Sequence, residues 1–227
     1  MPGRDNHRGM MLKEWILKIQ QDSEHYCSNT WKYHISGNVL ELSILPQFTK
    51  NKQIYRSSVI TIGQVLRAIS CKIEDADSHF LIQSFPSIES PEIIASIRMD
   101  KNSYHNDSFP SCDPEYDKTS MLSRVETISG LYQFSLKKSD PPEDQFIPEG
   151  VDKNNHTWYA LISKFDNPFT WLNVGYWKET LLRGCREQLE TQKPPNLIDF
   201  CKCNTANRPV WKLPDNGKLQ ALIAIEK

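Results

Sequence analysis

The stretch TWKYHISGNVLELSI (30–44) carries the reading of the fold. Trp31, Tyr33 and Ile35 alternate with Lys32 and His34, and Leu40, Leu42 and Ile44 alternate with Glu41 and Ser43. Two runs of period two around Ser36-Gly37-Asn38 read as a β-hairpin, since Gly and Asn accept the backbone conformations of a tight turn. Upstream, Met11, Leu12, Trp15, Ile16 and Ile19 recur with helical spacing, which predicts an amphipathic helix over 10–20. Downstream, Val59, Ile62, Leu66 and Ile69 predict a second helix over 56–70 with Gly63 at its middle. A mid-helix glycine costs ~1 kcal/mol relative to alanine, so another element is expected to pack closely there.

Farther along, HFLIQSF (79–85) and EIIASIRM (92–99) have strand character. A short amphipathic segment, MLSRVETISGLYQFSL (121–136), lies between polar, Pro-containing stretches at 101–119 and 137–155 that read as loops or lids. TWYALIS (157–163) is a buried-type strand. After Phe165-Asp166-Asn167-Pro168 comes a long helix with Trp171, Leu172, Val174, Gly175, Leu181, Leu182, Cys185 and Leu189 on its apolar face. Asp166 is expected to cap that helix. KPPN (193–196) stops it, and KLQALIAI (218–225) supplies a late strand. Helices and strands neither alternate strictly nor segregate, which favours an α+β domain with a mixed sheet. No internal repeat is visible and no long linker divides the chain, so 1–227 reads as one domain.

The 227 residues are 38% hydrophobic and 24% charged, enough apolar material for a core. Lys and Arg total 27 against 28 Asp and Glu, evenly spread, which excludes a nucleic-acid binder that works by neutralising phosphates. No apolar run approaches the ~20 residues of a membrane span. MPGRDNHRGMML lacks the apolar core of a secretory signal, so a cytoplasmic address without membrane partners is expected.

The six cysteines form no dense framework. Cys201 and Cys203 make a C-x-C pair, but no second pair with ligand spacing accompanies them, so no metal site is assigned; a zinc or thiol enzyme is the least favoured class. A nucleophile elbow, a P-loop and a dinucleotide fingerprint are absent. His25 and His34 near Cys27 do not make a convincing nucleophilic pair, His34 falling on the outward phase of its strand. Asp166 and Glu179 do not make an acid–base pair. No catalytic side chain is assigned. A bound flavin would account for such silence, because it brings its own redox chemistry and asks the chain only for a shaped cavity and polar contacts.

Read end to end, the chain resembles the nitroreductase superfamily, in its long, dormancy-associated branch. SEHYCSNTWKYHISGNVLEL matches the branch's polar segment, tryptophan and hairpin, with Trp31 on the family tryptophan. Arg56 and Gly63 keep an arginine-to-glycine spacing of seven on the next helix. SFP (84–86) and IIASIRM match the following strands. SKFDNPFTWLNVGYWKETLLRGC matches a strand, an acidic turn and a helix opened by Trp-Leu-x-x-Gly. KLQALIAIE matches the closing strand, with Gln220 and Leu222 retained. The resemblance covers about 12–99 and 155–227.

It implies a nitroreductase-like fold and a homodimer holding FMN at its interface. Hydride would pass from NAD(P)H through the flavin to a small-molecule acceptor such as a nitro compound or quinone. By the same resemblance, Ser28 and Asn29 would bond the ring edge, Arg56 would face the phosphate or a nearby carboxylate, and Lys193 and Asn196 would line the pocket. The chain departs from the branch at Cys27, at Thr30 in place of proline, and at Ala224 in place of a phosphate-binding arginine. Each lost charged contact costs on the order of 1.5–3 kcal/mol, weakening FMN binding. The alternative is therefore a degenerate member that keeps the fold, lacks flavin chemistry and acts as a binding module.

Overall fold

A computed structural model describes residues 3–21, 26, 29–100, 121–143, 147, 149, 151–186, 196–199 and 217–226. In chain order they form α1 (Gly3–Gln21), β1 (Trp31–Ser36), β2 (Val39–Ile44), a 3-10 turn (Pro46–Phe48), α2 (Lys52–Asp75), β3 (His79–Ser84) and β4 (Ile93–Asp100). Then follow α3 (Met121–Leu131), β5 (Ser135–Ser139), β6 (His156–Ser163), α4 (Pro168–Arg186), β7 (Asn196–Asp199) and β8 (Lys218–Glu226). Two compact units emerge, Met1–Cys112 with Trp171–Glu179, and Asp113–Thr170 with Thr180–Lys227.

In the first unit, β1 and β2 form the expected hairpin. Gly37 turns it at φ 59°, and Asn38 Nδ2 donates to the Met99 carbonyl at 2.6 Å, which ties the turn to β4. The sheet order is β1-β2-β4-β3, antiparallel throughout. Helices α1 and α2 pack on it, burying Leu12, Ile16, Leu40, Leu42, Ile44, Leu66, Ile69 and Ile97. In the second unit the sheet order is β5-β6-β8-β7, also antiparallel, over a core of Trp158, Ala160, Ile162, Leu222 and Ala224.

The α+β class holds. Among the described residues, however, every strand pairing is antiparallel and there are two sheets, where one mixed sheet was expected. Each sheet is built from two consecutive strands, a helix and two more strands, a connectivity that pairs neighbours antiparallel. The two halves of the chain also repeat one another. Each runs helix, two strands, helix, two strands, with the third and fourth strands exchanged in the sheet order. Even the β-bulge recurs. The register slips between Leu42 and Ser43 opposite Ala95 and Ile93, and between Leu161 and Ile162 opposite Ala221 and Leu219. Once those positions are superposed, EIIASIRMD and KLQALIAIE align, with little identity beyond an alanine and an isoleucine.

Two further corrections are local. Lys137–Ser139, expected in a loop, belong to β5, an edge strand whose side chains are mostly exposed and which therefore lacks apolar alternation. Helix α4 is capped by Asn167, not Asp166: the Asn167 carboxamide oxygen accepts from Thr170 N at 2.9 Å, and Pro168 takes the first helical position, where its missing N–H costs nothing. Asn51 caps α2 in the same way, accepting from Gln53 N and Ile54 N at 3.1 Å. The loop expected at 101–119 lies outside the described residues.

The close contact that Gly63 foretold is with α4. A Cβ on Gly63 would strike the Leu172 carbonyl oxygen and come within 3.0 Å of the Gly175 Cα; a Cβ on Gly175 would strike the Ile60 carbonyl. The contact is reciprocal, because each glycine meets the carbonyl three residues before the other.

Gly63→Ala and Gly175→Ala should each destabilise the fold by roughly 2–3 kcal/mol, since backbone must move to admit the methyl group. Gly130 in α3 is exposed with nothing within 4 Å of an added Cβ, and Gly130→Ala should stabilise by about 0.5–1 kcal/mol. Urea midpoints of the three variants test the contrast; equal losses at Gly63 and Gly130 would contradict the crossing.

Candidate functional site

One face of α2 is defined by a repeat of seven. Arg56, Gly63 and Ser70 share it, with Ile60 and Arg67 interleaved, and a spacing of seven brings side chains back to the same side after two turns. This face meets α4. The Arg56 guanidinium lies 5.8 Å from the Trp171 ring centroid, and Tyr55 approaches the same ring edge-on at 6.2 Å. Arg67 lies 5.5 Å from the Tyr176 ring. Ser70 Oγ donates to the Leu66 carbonyl at 2.6 Å, so in its 3.0 Å contact with the Tyr176 hydroxyl the tyrosine is the donor. Arg56, Gln64, Arg67, Ser70, Tyr176 and Glu179 are all buried, so the seam is polar as well as tight.

Tyr26, five residues ahead of Trp31, reaches this seam. Tyr26 is 4% exposed, and its hydroxyl donates to Glu179 Oε1 at 3.0 Å; Glu179, on α4 four residues past Gly175, is also 4% exposed. A buried carboxylate is expensive unless charge-assisted hydrogen bonds replace its hydration, and the phenol supplies one. Among the described residues, the Trp31 indole N–H and the Thr30 hydroxyl are buried with no hydrogen-bond partner. An unmet buried donor costs about 1–3 kcal/mol.

Of the five residues assigned from sequence, Arg56 is buried on the α2 seam and Asn29 is exposed two residues before β1. Both belong to the first unit. Asn196 opens β7 opposite Ala224 in the second unit. Ser28 and Lys193 lie outside the described residues, as do Cys27, Cys201 and Cys203. Gln220 is occupied structurally: its Nε2 donates to Ser163 Oγ at 2.9 Å, and Ser163 Oγ donates to the Phe165 carbonyl at 2.6 Å, fixing the turn that leads into α4. Among the described residues, no three His, Cys, Asp or Glu side chains gather as a metal site would require, and no helix is long and apolar enough to cross a membrane.

The sequence alone does not pair Tyr26 with Glu179. They are 153 residues apart, and no local pattern links them.

No protein-family model and no curated protein sequence matches the chain.

Burial raises the Tyr55 phenol above its ordinary range. The folded state thus holds that proton to higher pH than the unfolded chain. The resulting stability is fully present below about pH 10 and is lost as pH rises through the folded value. Tyr55→Phe should flatten the alkaline decline in urea midpoint, measured between about pH 9 and pH 11. A decline as steep as that of the parent would show that Tyr55 contributes nothing to it.

Proposed function

We propose that the chain is an FMN-dependent oxidoreductase of nitroreductase type, passing hydride from NAD(P)H through the flavin to a nitro compound, quinone or related acceptor. The observation that supports this most is the Tyr26–Glu179 hydrogen bond. It brings Tyr26, two and three residues before the Ser28 and Asn29 that the resemblance assigns to the flavin ring, against Glu179 on α4. Arg56 is in the same unit, and its guanidinium is the cation a phosphate requires. Because it is largely removed from water, a charged contact to it would be stronger than one at the surface. Asn29 and the Thr30 hydroxyl, buried without a hydrogen-bond partner among the described residues, add polar groups of the kind a flavin ring edge uses. This donor set fits FMN. When bound, the flavin would supply the hydride chemistry; the chain would bind and orient it. On this reading the protein is a cytoplasmic homodimer with a nitroreductase-like fold.

A second reading, a degenerate member acting as a binding module, has one observation of its own. Ala224, at the family's phosphate-binding arginine, is fully buried in the apolar cluster of Trp158, Ala160 and Ile162. That position presents no cation to any ligand.

Incubation with FMN followed by desalting separates the two. A visible flavin spectrum, with FMN released on denaturation and bleached by NADH or NADPH, is the expected result; colourless protein overturns the first reading in favour of the second. Arg56→Ala should weaken FMN binding by about 10- to 150-fold, the equivalent of losing a contact worth about 1.5–3 kcal/mol. Titration of the folded variant by flavin fluorescence quenching measures it.

A further inference from the structure

Helix α1 carries two apolar stripes. Leu12, Ile16 and Ile19 are buried against β1, β2 and α2. Met10 and Leu17 stand on the other side and are 72% and 40% exposed. At about 100° per residue, positions seven apart return to within about 20° of one another, and this pair lies about 140° from the middle of the core stripe. We infer that the outer face of α1 docks a second copy of the chain, with the two α1 helices side by side and parallel. The inference names the face of the homodimer in the reading above, and it rests on that reading only for the dimer being the functional form.

The charges beside the stripe select the occupant. Lys13 and Glu14 are both exposed and flank it on opposite sides, each about 50° from its midline. Two copies related by a two-fold axis present the same patch to one another. With the helices parallel, the Lys13 flank of each copy meets the Glu14 flank of the other, so both flanks are complementary. With the helices antiparallel, Lys13 meets Lys13 and Glu14 meets Glu14. Like charges set opposite one another suppress a pairing, which leaves the parallel one. Met10 then packs on Met10, and Leu17 on Leu17, across the axis. Lys18 Nζ donates to Glu14 Oε1 at 2.7 Å one turn along the same helix, which holds the carboxylate along its flank before the second copy arrives.

The length of the seam sets its strength. Residues 7–21 cover about 22 Å of helix, and one helix pair of that length buries less than the roughly 1,200 Å² at which standard interfaces begin. The association is therefore weak and concentration-dependent, with a dissociation constant on the order of 10–100 μM. A single exposed apolar side chain needs no partner to explain it. Two on one stripe, with opposite charges placed symmetrically beside them, form a self-complementary patch.

Sedimentation equilibrium of the full chain without FMN tests this, at protein concentrations of about 5–300 μM, which bracket the expected constant. The parent should form dimers and nothing larger. Met10→Gln combined with Leu17→Gln should weaken dimerisation at least about 10-fold. Lys13→Glu should weaken it about 3- to 10-fold by setting two carboxylates against each other on both flanks, and adding Glu14→Lys should bring it back to within about 3-fold of the parent. All of these side chains are exposed, so urea midpoints should stay close to the parental value. A parent that is monomeric throughout, or that grows beyond a dimer, overturns the inference. A dimer that the Met10 and Leu17 changes leave intact places the contact on another face and overturns it equally. Failure of the charge exchange to restore association overturns the parallel pairing. FMN binding is read separately: a colourless dimer sensitive to these variants supports the docking face while overturning the flavin reading, and a yellow monomer does the reverse.

Discussion

Helices α2 and α4 meet where neither has a side chain. The absence of a Cβ at Gly63 and Gly175 lets the carbonyls of Leu172 and Ile60 lie against the opposing α-carbons, an approach no other residue permits. Much of the first unit follows from this constraint. At such a distance, side chains before and after the crossing must lie alongside the opposite helix. Arg56 therefore rests on Trp171, Arg67 on Tyr176, and Ser70 accepts from the Tyr176 hydroxyl. These contacts are long-range in sequence and depend on helix register. A slip of one residue in α4 would turn Tyr176 by about 100° and break them together.

Polar groups in such a seam are poor sources of stability. Desolvating Arg56, Arg67 and Glu179 is costly, and apolar residues of equal size would pack at least as well. What polar groups provide is discrimination, because an apolar seam can slide and still bury its surface, whereas one with placed donors and acceptors leaves charges unmet when it slides. The glycines set the distance and the polar residues set the alignment. The αββαββ order recurs in the second half of the chain. The bulge opposite Ala95 and Ala221 is present in both halves, although the residues around it differ.

The hairpin at 31–44, both long helices and the strands around 93–99 and 218–225 were legible because each buries one face, and burial leaves a period. Gly63 was legible for the opposite reason, as a residue that weakens its own helix and so needs a neighbour. Strand β5 was not legible, since an edge strand with Lys137 and Lys138 facing water has no apolar face to announce it. The repeat is not legible in the sequence because what recurs is connectivity and register, and these are properties of pairing more than of residue identity. The cap of α4 was misread between two adjacent competent residues, although Pro168 points to Asn167 as the residue immediately before the first helical position. Of the candidate site, the Arg56–Gly63 spacing was readable as a shared helix face. The Tyr26–Glu179 contact was not, because nothing local distinguishes a buried glutamate from an exposed one.

That last asymmetry has a physical origin. A helix advertises its apolar stripe, since every turn contributes to it, but a buried acid is a single exception whose justification lies elsewhere in the chain. On α4, Glu179 follows the run Trp171, Leu172, Val174, Gly175, Tyr176 and Trp177, all buried. By position it falls on the face of Leu172 and Gly175, seven and four residues earlier, which is the face that meets α2. A carboxylate there is tolerated only if donors come to it, and one donor is a phenol from the segment ahead of Trp31. An apolar residue at the same site would fill the space without requiring that segment to be anywhere in particular. Glu179 converts a packing position into a requirement on Tyr26, and so ties that residue to the helix that crosses α2 at Gly63 and Gly175.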